Sequence, residues 1–179
     1  MTGPDPTLSA RIAALESAIG DPRNGLPEEV FFFVSRVMPL VNVDLLVQDD
    51  RSRTLLTWRD DEFHGAGWHI PGGIIRYKET AADRIRACAR DELGADVSWE
   101  PTPLLLSENI RPHDTRGHFI SLLFRCRLET PADERRRASS NTPSSGEWRW
   151  HDGCPPNLLA AQAHYARFIG LSRGASPEE

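Results

Sequence analysis

GGIIRYKETAADRIRACARDELG, at residues 72–94, has the composition of a loop, a helix and a helix stop in succession. Pro71 and the two glycines after it interrupt any regular element. Thr80 is a favourable N-cap residue, and Asp83, three positions later, is a weak version of the capping-box acid. Gly94 is the residue type expected just past a helix end. The stretch therefore predicts a glycine-rich loop that leads into a helix between Thr80 and Gly94.

The predicted helix has an apolar stripe with an acid at its margin. Ile85, Ala89 and Leu93 recur every four residues, as the buried face of an amphipathic helix requires. At about 100° per residue, Glu92 projects close to the Ile85 edge of this stripe. A carboxylate at the margin of a buried face is costly unless a neighbouring group compensates its charge. Glu92 is therefore the first candidate functional residue.

Two further acids stand close to Glu92 in the sequence pattern. Asp91 is its neighbour, and Glu79 comes just before the helix. Three acids that converge on a glycine-rich loop suit a divalent cation that takes oxygen ligands, and the backbone carbonyls of the loop could supply more oxygens. The alternative interpretation is a surface helix whose acids are solvated.

The spacing resembles the Nudix box, which is Gly, five residues, Glu, seven residues, then Arg-Glu-aliphatic-x-Glu-Glu-x-Gly-aliphatic. The positions that fit this pattern, one of them by a conservative change, are Gly73, Glu79, Asp91, Glu92 and Gly94. Ala87 stands where the pattern has its arginine, and Cys88 where it has the first glutamate of the second group. The helix has thus lost one acid and the arginine that would normally orient the acids.

The resemblance implies an α/β fold, the Nudix-type α/β/α sandwich around a mixed β-sheet. It also implies a Mg²⁺-dependent hydrolase of nucleoside diphosphate derivatives, with Mn²⁺ as an alternative ion. The ion would lie between Glu92, the backbone of Gly72, and Asp91 or Glu79. The flanks between residues 35 and 150 are similar to one branch, the GDP-mannose mannosyl hydrolases, which keep the final glutamate of an incomplete box as a metal ligand.

The similar branch also implies substrate contacts. Asp44, inside a predicted strand, would touch the nucleotide, and Arg59, at the end of the next strand, would touch the diphosphate. The alternative for these two residues is a structural salt bridge. Arg111, in the polar segment 107–117, is the third expected substrate contact. The substrate is then a small nucleotide, with a GDP-mannose-like nucleotide sugar favoured.

The catalytic base is the point of sharpest departure from that branch. The GDP-mannose mannosyl hydrolases have a glutamine–histidine pair that supplies a metal ligand and the base. Ser144 and Ser145 align with this pair, and serine is a poor base. Glu147, His113 and His118 are the substitutes, although His118 could equally be a structural histidine at the start of a strand.

Three functions remain open. Water could attack the sugar carbon and release a nucleoside diphosphate, or it could attack phosphorus and release a nucleoside monophosphate. The third is a non-catalytic module that binds a nucleotide.

Composition excludes other classes of partner. The 179 residues carry a net charge of −5 and no basic stripe, so a nucleic-acid partner is not expected. No apolar run of spanning length and no signal peptide is visible, so we expect no membrane association. The three cysteines have no metal-ligand spacing and no disulfide parity, which fits a reducing cytoplasm.

The chain divides into three predicted regions. Residues 1–38 form helical segments, and their apolar run at 30–37 packs under the sheet or meets a second subunit; the similar family favours a homodimer. Residues 39–172 form the Nudix domain, and 173–179 an unstructured tail. Within the domain, strands are predicted at 41–47, 54–58, 97–106, 119–128 and 147–151, and a last helix at 155–171. Segment 130–146, rich in Pro, Ser, Asp and Arg, is a lid or is disordered.

Overall fold

The computed structural model describes residues 5–171. Its α-helices are α1 (Pro6–Ile19), α2 (Glu28–Val37) and α3 (Ala81–Cys88). Its strands are β1 (Leu40–Val47), β2 (Thr54–Asp61), β3 (Gly65–His69), β4 (Gly72–Ile74), β5 (Val97–Trp99), β6 (Leu105–Ile110), β7 (His118–Leu128) and β8 (Trp148–His151). Short 3₁₀ helices cover Pro22–Asn24, Glu134–Arg136 and Ala160–Phe168. No helix in this part of the chain is both long and apolar enough to cross a membrane.

The strands form two sheets. In the mixed sheet, β1 lies between β4 and β7, and both β5 and β6 pair with the far edge of β7. Strands β1 and β7 are parallel, with Leu40 opposite Phe119 and Val47 opposite Cys126, whereas the other pairs are antiparallel. The second sheet is antiparallel, in the order β3-β2-β8.

The central strand β1 is buried on both faces. Val43, Leu45 and Val47 pack in one core with α3, whereas Leu46 packs in a second core with the C-terminal 3₁₀ helix. A strand covered on both faces has a near-continuous apolar sequence, which accounts for the Val- and Leu-rich run here. The predicted α/β/α sandwich around a mixed sheet is confirmed.

The predicted boundaries of α3 are confirmed, but its last turn is unusual. The Thr80 hydroxyl accepts the Asp83 amide at 3.1 Å, as an N-cap does. After Cys88 the helix widens into a π turn over Ala89–Leu93, and it ends at Gly94, whose φ is 63°. No local sequence pattern predicted this π turn. Such turns are rare and occur often at functional sites.

Segment 130–146 packs against the C-terminal end of α3. Asp133 donates its amide to the Leu93 carbonyl at 2.8 Å, and the Arg136 guanidinium donates to the Asp91 carbonyl at 2.6 Å. The Trp148 indole donates in turn to the Asp133 carbonyl at 2.9 Å. These bonds satisfy helix-end carbonyls that would otherwise lack donors. The segment therefore supports the helix, and neither the predicted lid nor disorder describes its first part.

Two other element predictions were wrong in their bounds. The predicted strand 97–106 is two strands, β5 and β6, because Pro101 and Pro103 interrupt pairing between them. The predicted helix 155–171 is a shorter 3₁₀ helix, Ala160–Phe168, in which Tyr165 and Phe168 are buried as expected.

The N-terminal helices differ in how they contact the domain. α1 has no buried residue, and its apolar residues Leu8, Ile12 and Leu15 are exposed. α2 buries Val30 and Ser35. The predicted tail at 173–179 lies outside the described residues, so its structure stays a prediction.

Gly94→Ala is expected to lower the free energy of unfolding by about 2 kcal/mol. The new methyl group would occupy a left-handed backbone position and lie 2.9 Å from the Asp133 Cβ. Urea denaturation measures the change. Gly65→Ala is the control, because Gly65 has a similar φ of 72° with nothing within 4 Å. We expect about 1 kcal/mol for the control; equal losses would contradict the packing of Asp133 against the helix end.

Candidate active site

Glu92 is held by two hydrogen bonds to strands β4 and β2, because the two glycines predicted to lie in a loop are the start of β4. The Gly72 amide donates to its Oε1 at 3.0 Å, and the Thr57 hydroxyl lies 3.0 Å from its Oε2. The side chain is 23% exposed, so it is partly withdrawn from water. Burial, with a contribution from the Asp44 charge, raises the pKa of Glu92 to about 7. The helix margin predicted from the sequence is thus the wall of a polar site.

His69 completes a short hydrogen-bonded chain with Glu92. Its Nε2 lies 3.0 Å from the Thr57 hydroxyl, and its Nδ1 lies 2.9 Å from the Ile70 carbonyl, which accepts only if Nδ1 carries a proton. Burial lowers the pKa of His69 to about 3, so the ring is neutral. The Thr57 hydroxyl donates to the Glu92 carboxylate and lies within hydrogen-bond distance of the His69 ring, so it links the two side chains.

A second carboxylate flanks the same glycine. Asp44 on β1 is the register partner of Gly72, and a Cβ added at Gly72 would lie 2.6 Å from the Asp44 Oδ1. The other oxygen, Oδ2, accepts from the Tyr165 hydroxyl at 2.7 Å and from the Asn42 amide at 2.9 Å. Burial raises the pKa of Asp44 to about 6. Two acids with raised pKa values therefore stand on either side of Gly72.

A cavity of about 100 Å³ is lined by Asp44, Gly72 and His69, whereas Glu92 reaches it only through its bond to Gly72. Arginines come to it from two elements: Arg59 from β2, and Arg111 and Arg116 from the loop between β6 and β7. His64 also lines it, and its Nδ1 lies 3.1 Å from the Asp61 Oδ1. The cavity thus combines acids at the glycine loop with several cationic side chains.

Glu79 has a partner that the sequence pattern did not predict. The Arg84 guanidinium forms a two-point ion pair with its carboxylate, at 2.9 Å and 2.8 Å. The Arg76 amide also donates to this carboxylate at 2.8 Å. Arg84 lies one turn before the box position that Ala87 occupies, and it supplies the positive charge that was expected to be missing. Glu79 is therefore bonded to the loop and the helix, and contacts Arg84 rather than Glu92.

Cys88 is a packing residue in this structure. A Cβ added at Gly73 would lie 2.7 Å from its sulfur, so helix and loop approach closely there. Burial, followed by the Glu92 charge, raises the pKa of the thiol to about 12. Asp91 is exposed on the outer side of the helix. Within residues 5–171, no group of three His, Cys, Asp or Glu side chains is placed to hold a metal ion.

The proposed bases lie apart from this cavity. The Glu147 carboxylate accepts the Ser144 amide at 2.9 Å within its own turn. His118 lies 3.0 Å from Glu108 across the β6–β7 pair, which is the structural role considered for it. His113 lines two neighbouring pockets that share Arg111 with the cavity, and it does not line the cavity itself. Of the three expected substrate contacts, Asp44, Arg59 and Arg111 all line the cavity.

The sequence reasoning missed several cavity residues. Thr57 and His69 face each other in the β2–β3 hairpin, so correct pairing of that hairpin would have found them. Tyr165 lies in the predicted last helix, and in the structure it buries its ring while donating to Asp44. Arg116 lies in the polar segment 107–117, from which only Arg111 was predicted to contact the substrate. Local sequence carries no signal for these long-range contacts.

Comparison with known proteins identifies the family. The NUDIX domain family matches residues 38–165, and the chain belongs to this family. It is thus a Nudix hydrolase, a class that acts on small-molecule nucleoside diphosphate derivatives and generally uses a divalent metal.

One relative and two solved structures illustrate the similarity. The low-salt glycan biosynthesis protein Agl8 of Haloferax volcanii is 28% identical over 112 residues, which are 60% of this chain and 71% of that protein. A possible asymmetric diadenosine tetraphosphate hydrolase from Jonesia denitrificans has a TM-score of 0.58 at 21% identity, covering 74% of this chain and 92% of its own. A UDP-X diphosphatase has a TM-score of 0.53 at 17% identity, covering 90% and 79%. The two structures share the fold.

Arg84→Met is expected to lower the free energy of unfolding by about 3 kcal/mol, because it leaves the Glu79 carboxylate without its cationic partner. The arginine side chain is 7% exposed and the glutamate 17%. Thermal and urea denaturation measure the loss. The double variant Glu79→Gln/Arg84→Met is expected to recover part of it, since no unpaired charge remains. Additive losses in the double variant would argue against the pair.

Proposed function

We propose that the protein is a metal-dependent hydrolase of a nucleoside diphosphate linked to another group, with a nucleotide sugar as the favoured substrate. The observation that carries the proposal is a pair of carboxylates that both contact Gly72: Asp44 lines a cavity that arginines also line, and Glu92 accepts the Gly72 amide. Acids on one side suit a cation, and arginines on the other suit phosphate oxygens.

The residues fit a hard divalent cation such as Mg²⁺. The Asp44 Oδ1 has no hydrogen-bond partner among residues 5–171, because the Tyr165 hydroxyl and the Asn42 amide both donate to Oδ2. Oδ1 is therefore free to bind a cation. Glu92 and Asp44 both have raised pKa values, so a nearby positive charge would stabilise their ionised forms. A bound ion would neutralise charge on the diphosphate and polarise the bond to be broken. Mg²⁺ commonly takes its remaining ligands from water and phosphate.

This proposal changes the roles expected for the other acids. Glu92 and the backbone of Gly72 stay in the metal site, and Asp44 joins them. Glu79 orients the loop through Arg84, and Asp91 stands at the outer surface. In this mechanism Arg59 would bind the phosphates, and the Glu79–Arg84 ion pair would hold the segment around Gly72 in place.

His64 is the proposed base that activates water. It lines the cavity, and Asp61 orients the ring through Nδ1. Burial lowers the pKa of His64, which favours the neutral ring that a base requires. Glu147, His113 and His118 remain the alternatives from the sequence, and each would have to leave its present contacts.

The sugar component of the proposal comes from similarity. The relative Agl8 is named for glycan biosynthesis, and the flanking segments resemble enzymes that act on GDP-mannose. Attack at the sugar carbon would release a nucleoside diphosphate, and attack at phosphorus a nucleoside monophosphate. The second candidate function, a non-catalytic nucleotide-binding module, is favoured by Cys88 and by Ser144 and Ser145 at positions where the similar enzymes have catalytic groups.

Glu92→Gln is expected to lower metal-dependent turnover at least 100-fold while the fold is retained, because the amide keeps the shape and removes the charge. Nucleotide products from a panel of nucleotide sugars, with Mg²⁺ or with EDTA, are resolved by chromatography. Asp91→Asn is the control, since Asp91 is exposed. Turnover by Glu92→Gln at the wild-type rate would overturn the metal assignment. The product, diphosphate or monophosphate, identifies the bond cleaved.

We also propose a cytoplasmic homodimer. Cys88, Cys126 and Cys154 are all free thiols, in keeping with a reducing compartment.

The exposed apolar residues of α1 form a helix face that no described residue covers. Sedimentation of the full chain against a chain lacking residues 1–20 tests the assembly. We expect a dimer that becomes a monomer on truncation; a monomeric full chain would contradict it.

A further inference from the structure

Two of the cavity arginines have no acidic partner. The Arg111 guanidinium donates to the Ala161 carbonyl at 3.2 Å, and the Arg116 Nε is buried without any hydrogen-bond partner. Within residues 5–171, neither guanidinium has a carboxylate oxygen within 4.0 Å, whereas Arg59 has Asp61 at 3.6 Å. Burial lowers the pKa of both Arg111 and Arg116. Partly buried cations without counter-charges are costly in the free protein.

Arg116 is fixed in place and is not a mobile surface side chain. Its guanidinium lies 5.7 Å from the ring centre of Phe31 on α2 and 5.0 Å from that of Phe63. Its backbone has a φ of 57°, which is unfavourable for a residue with a Cβ, and its amide donates to the Ser35 hydroxyl at 3.2 Å. The Arg111 amide closes the loop by donating to the Gly117 carbonyl at 2.7 Å. Two elements thus hold a strained arginine at the cavity wall.

These arginines lie beyond the carboxylate end of the site. Gly72 and Asp44 line only the first cavity, whereas Arg111 also lines the adjoining pockets of about 260 Å³ and 540 Å³. Arg59 lines the first cavity together with Gly72 and Asp44. A diphosphate held by a metal at Gly72 and by Arg59 would leave Arg111 and Arg116 to face the next part of the substrate.

We propose that the substrate carries a second anionic group, a carboxylate or a phosphate, on the part that lies beyond its diphosphate, and that Arg111 and Arg116 bind this group. The inference rests on the proposed function and narrows its substrate class. A guanidinium fork binds carboxylate and phosphate oxygens equally well in geometry, and a desolvated fork binds them more strongly. A neutral hexose would leave both arginines unpaired.

Acidic residues near the outer pocket do not replace such a ligand. Glu62 and Asp114 line that pocket, but both are exposed, and neither reaches the guanidinium groups within 4.0 Å. Exposed charges at longer distance are screened by water and salt. Asp61 also acts on Arg116, but it lies 3.1 Å from His64 and 3.6 Å from Arg59, and more than 4.0 Å from the Arg116 guanidinium. The missing direct partner is therefore assigned to the ligand.

Matched pairs of nucleotides test the proposal. UDP-glucuronate and UDP-glucose differ in one carboxylate, and diadenosine tetraphosphate and diadenosine diphosphate differ in their phosphates. Dissociation constants are measured by calorimetry in EDTA, and kcat/KM with Mg²⁺. In the wild type we expect the more anionic member of at least one pair to bind tenfold or more tightly, and the pair that responds identifies carboxylate or phosphate. Equal binding within both pairs, or no binding of any of the four, would overturn the proposal.

Variants separate this subsite from general phosphate binding. Arg116→Gln and Arg111→Gln are expected to reduce the preference for the anionic member to about one, and Arg116→Lys to keep part of it. Arg51→Gln is the matched control, because Arg51 is exposed in the β1–β2 turn. If Arg116→Gln weakens both members of a pair equally, the arginine binds the common diphosphate and the inference is wrong.

The two readouts also separate this inference from the proposed function. A charge preference in the dissociation constants without turnover of any nucleotide would support the subsite and overturn the hydrolase. Turnover without a charge preference would support the hydrolase and overturn the anion-binding subsite.

Discussion

The hydrogen bond from the Gly72 amide to Glu92 is the contact on which the site depends. It ties the π turn that follows α3 to the first residue of β4, and β4 pairs with β1. Because Asp44 is the register partner of Gly72, the same bond fixes both carboxylates relative to each other. Their positions are thus determined by backbone geometry, which is more rigid than long side chains. Bringing two acids together in this way is unfavourable without a cation or a shared proton.

The N-terminal helix α2 contributes to the opposite wall of the site. The aromatic run of α2 was expected either to pack under the sheet or to meet a second subunit. In the structure, Phe31 packs on Arg116, and Ser35 accepts the amide of the same residue. A helix that precedes the matched family segment therefore positions a residue of the cavity. Substrate recognition and the N-terminal region are physically coupled in this chain.

Elements with a strong local pattern were predictable. The N-cap Thr80 follows from its residue type, and the buried stripe of α3 follows from helical periodicity; the structure confirms both. The box spacing was sufficient to identify the family. Contacts that depend on strand register or on tertiary packing were not predictable. His118 pairs with Glu108 because of the β6–β7 register, and Thr57 meets His69 because of the β2–β3 register.

The ion pair between Glu79 and Arg84 affects how divergent family members are detected by sequence motifs. The arginine that this glutamate binds comes from one helical turn earlier than the pattern places it, at Arg84 instead of position 87. Positions three residues apart lie on the same face of a helix, so either can reach the same carboxylate. A motif defined by fixed positions scores this change as a loss, although the ion pair is retained. Searches for divergent members should therefore accept an arginine on either turn.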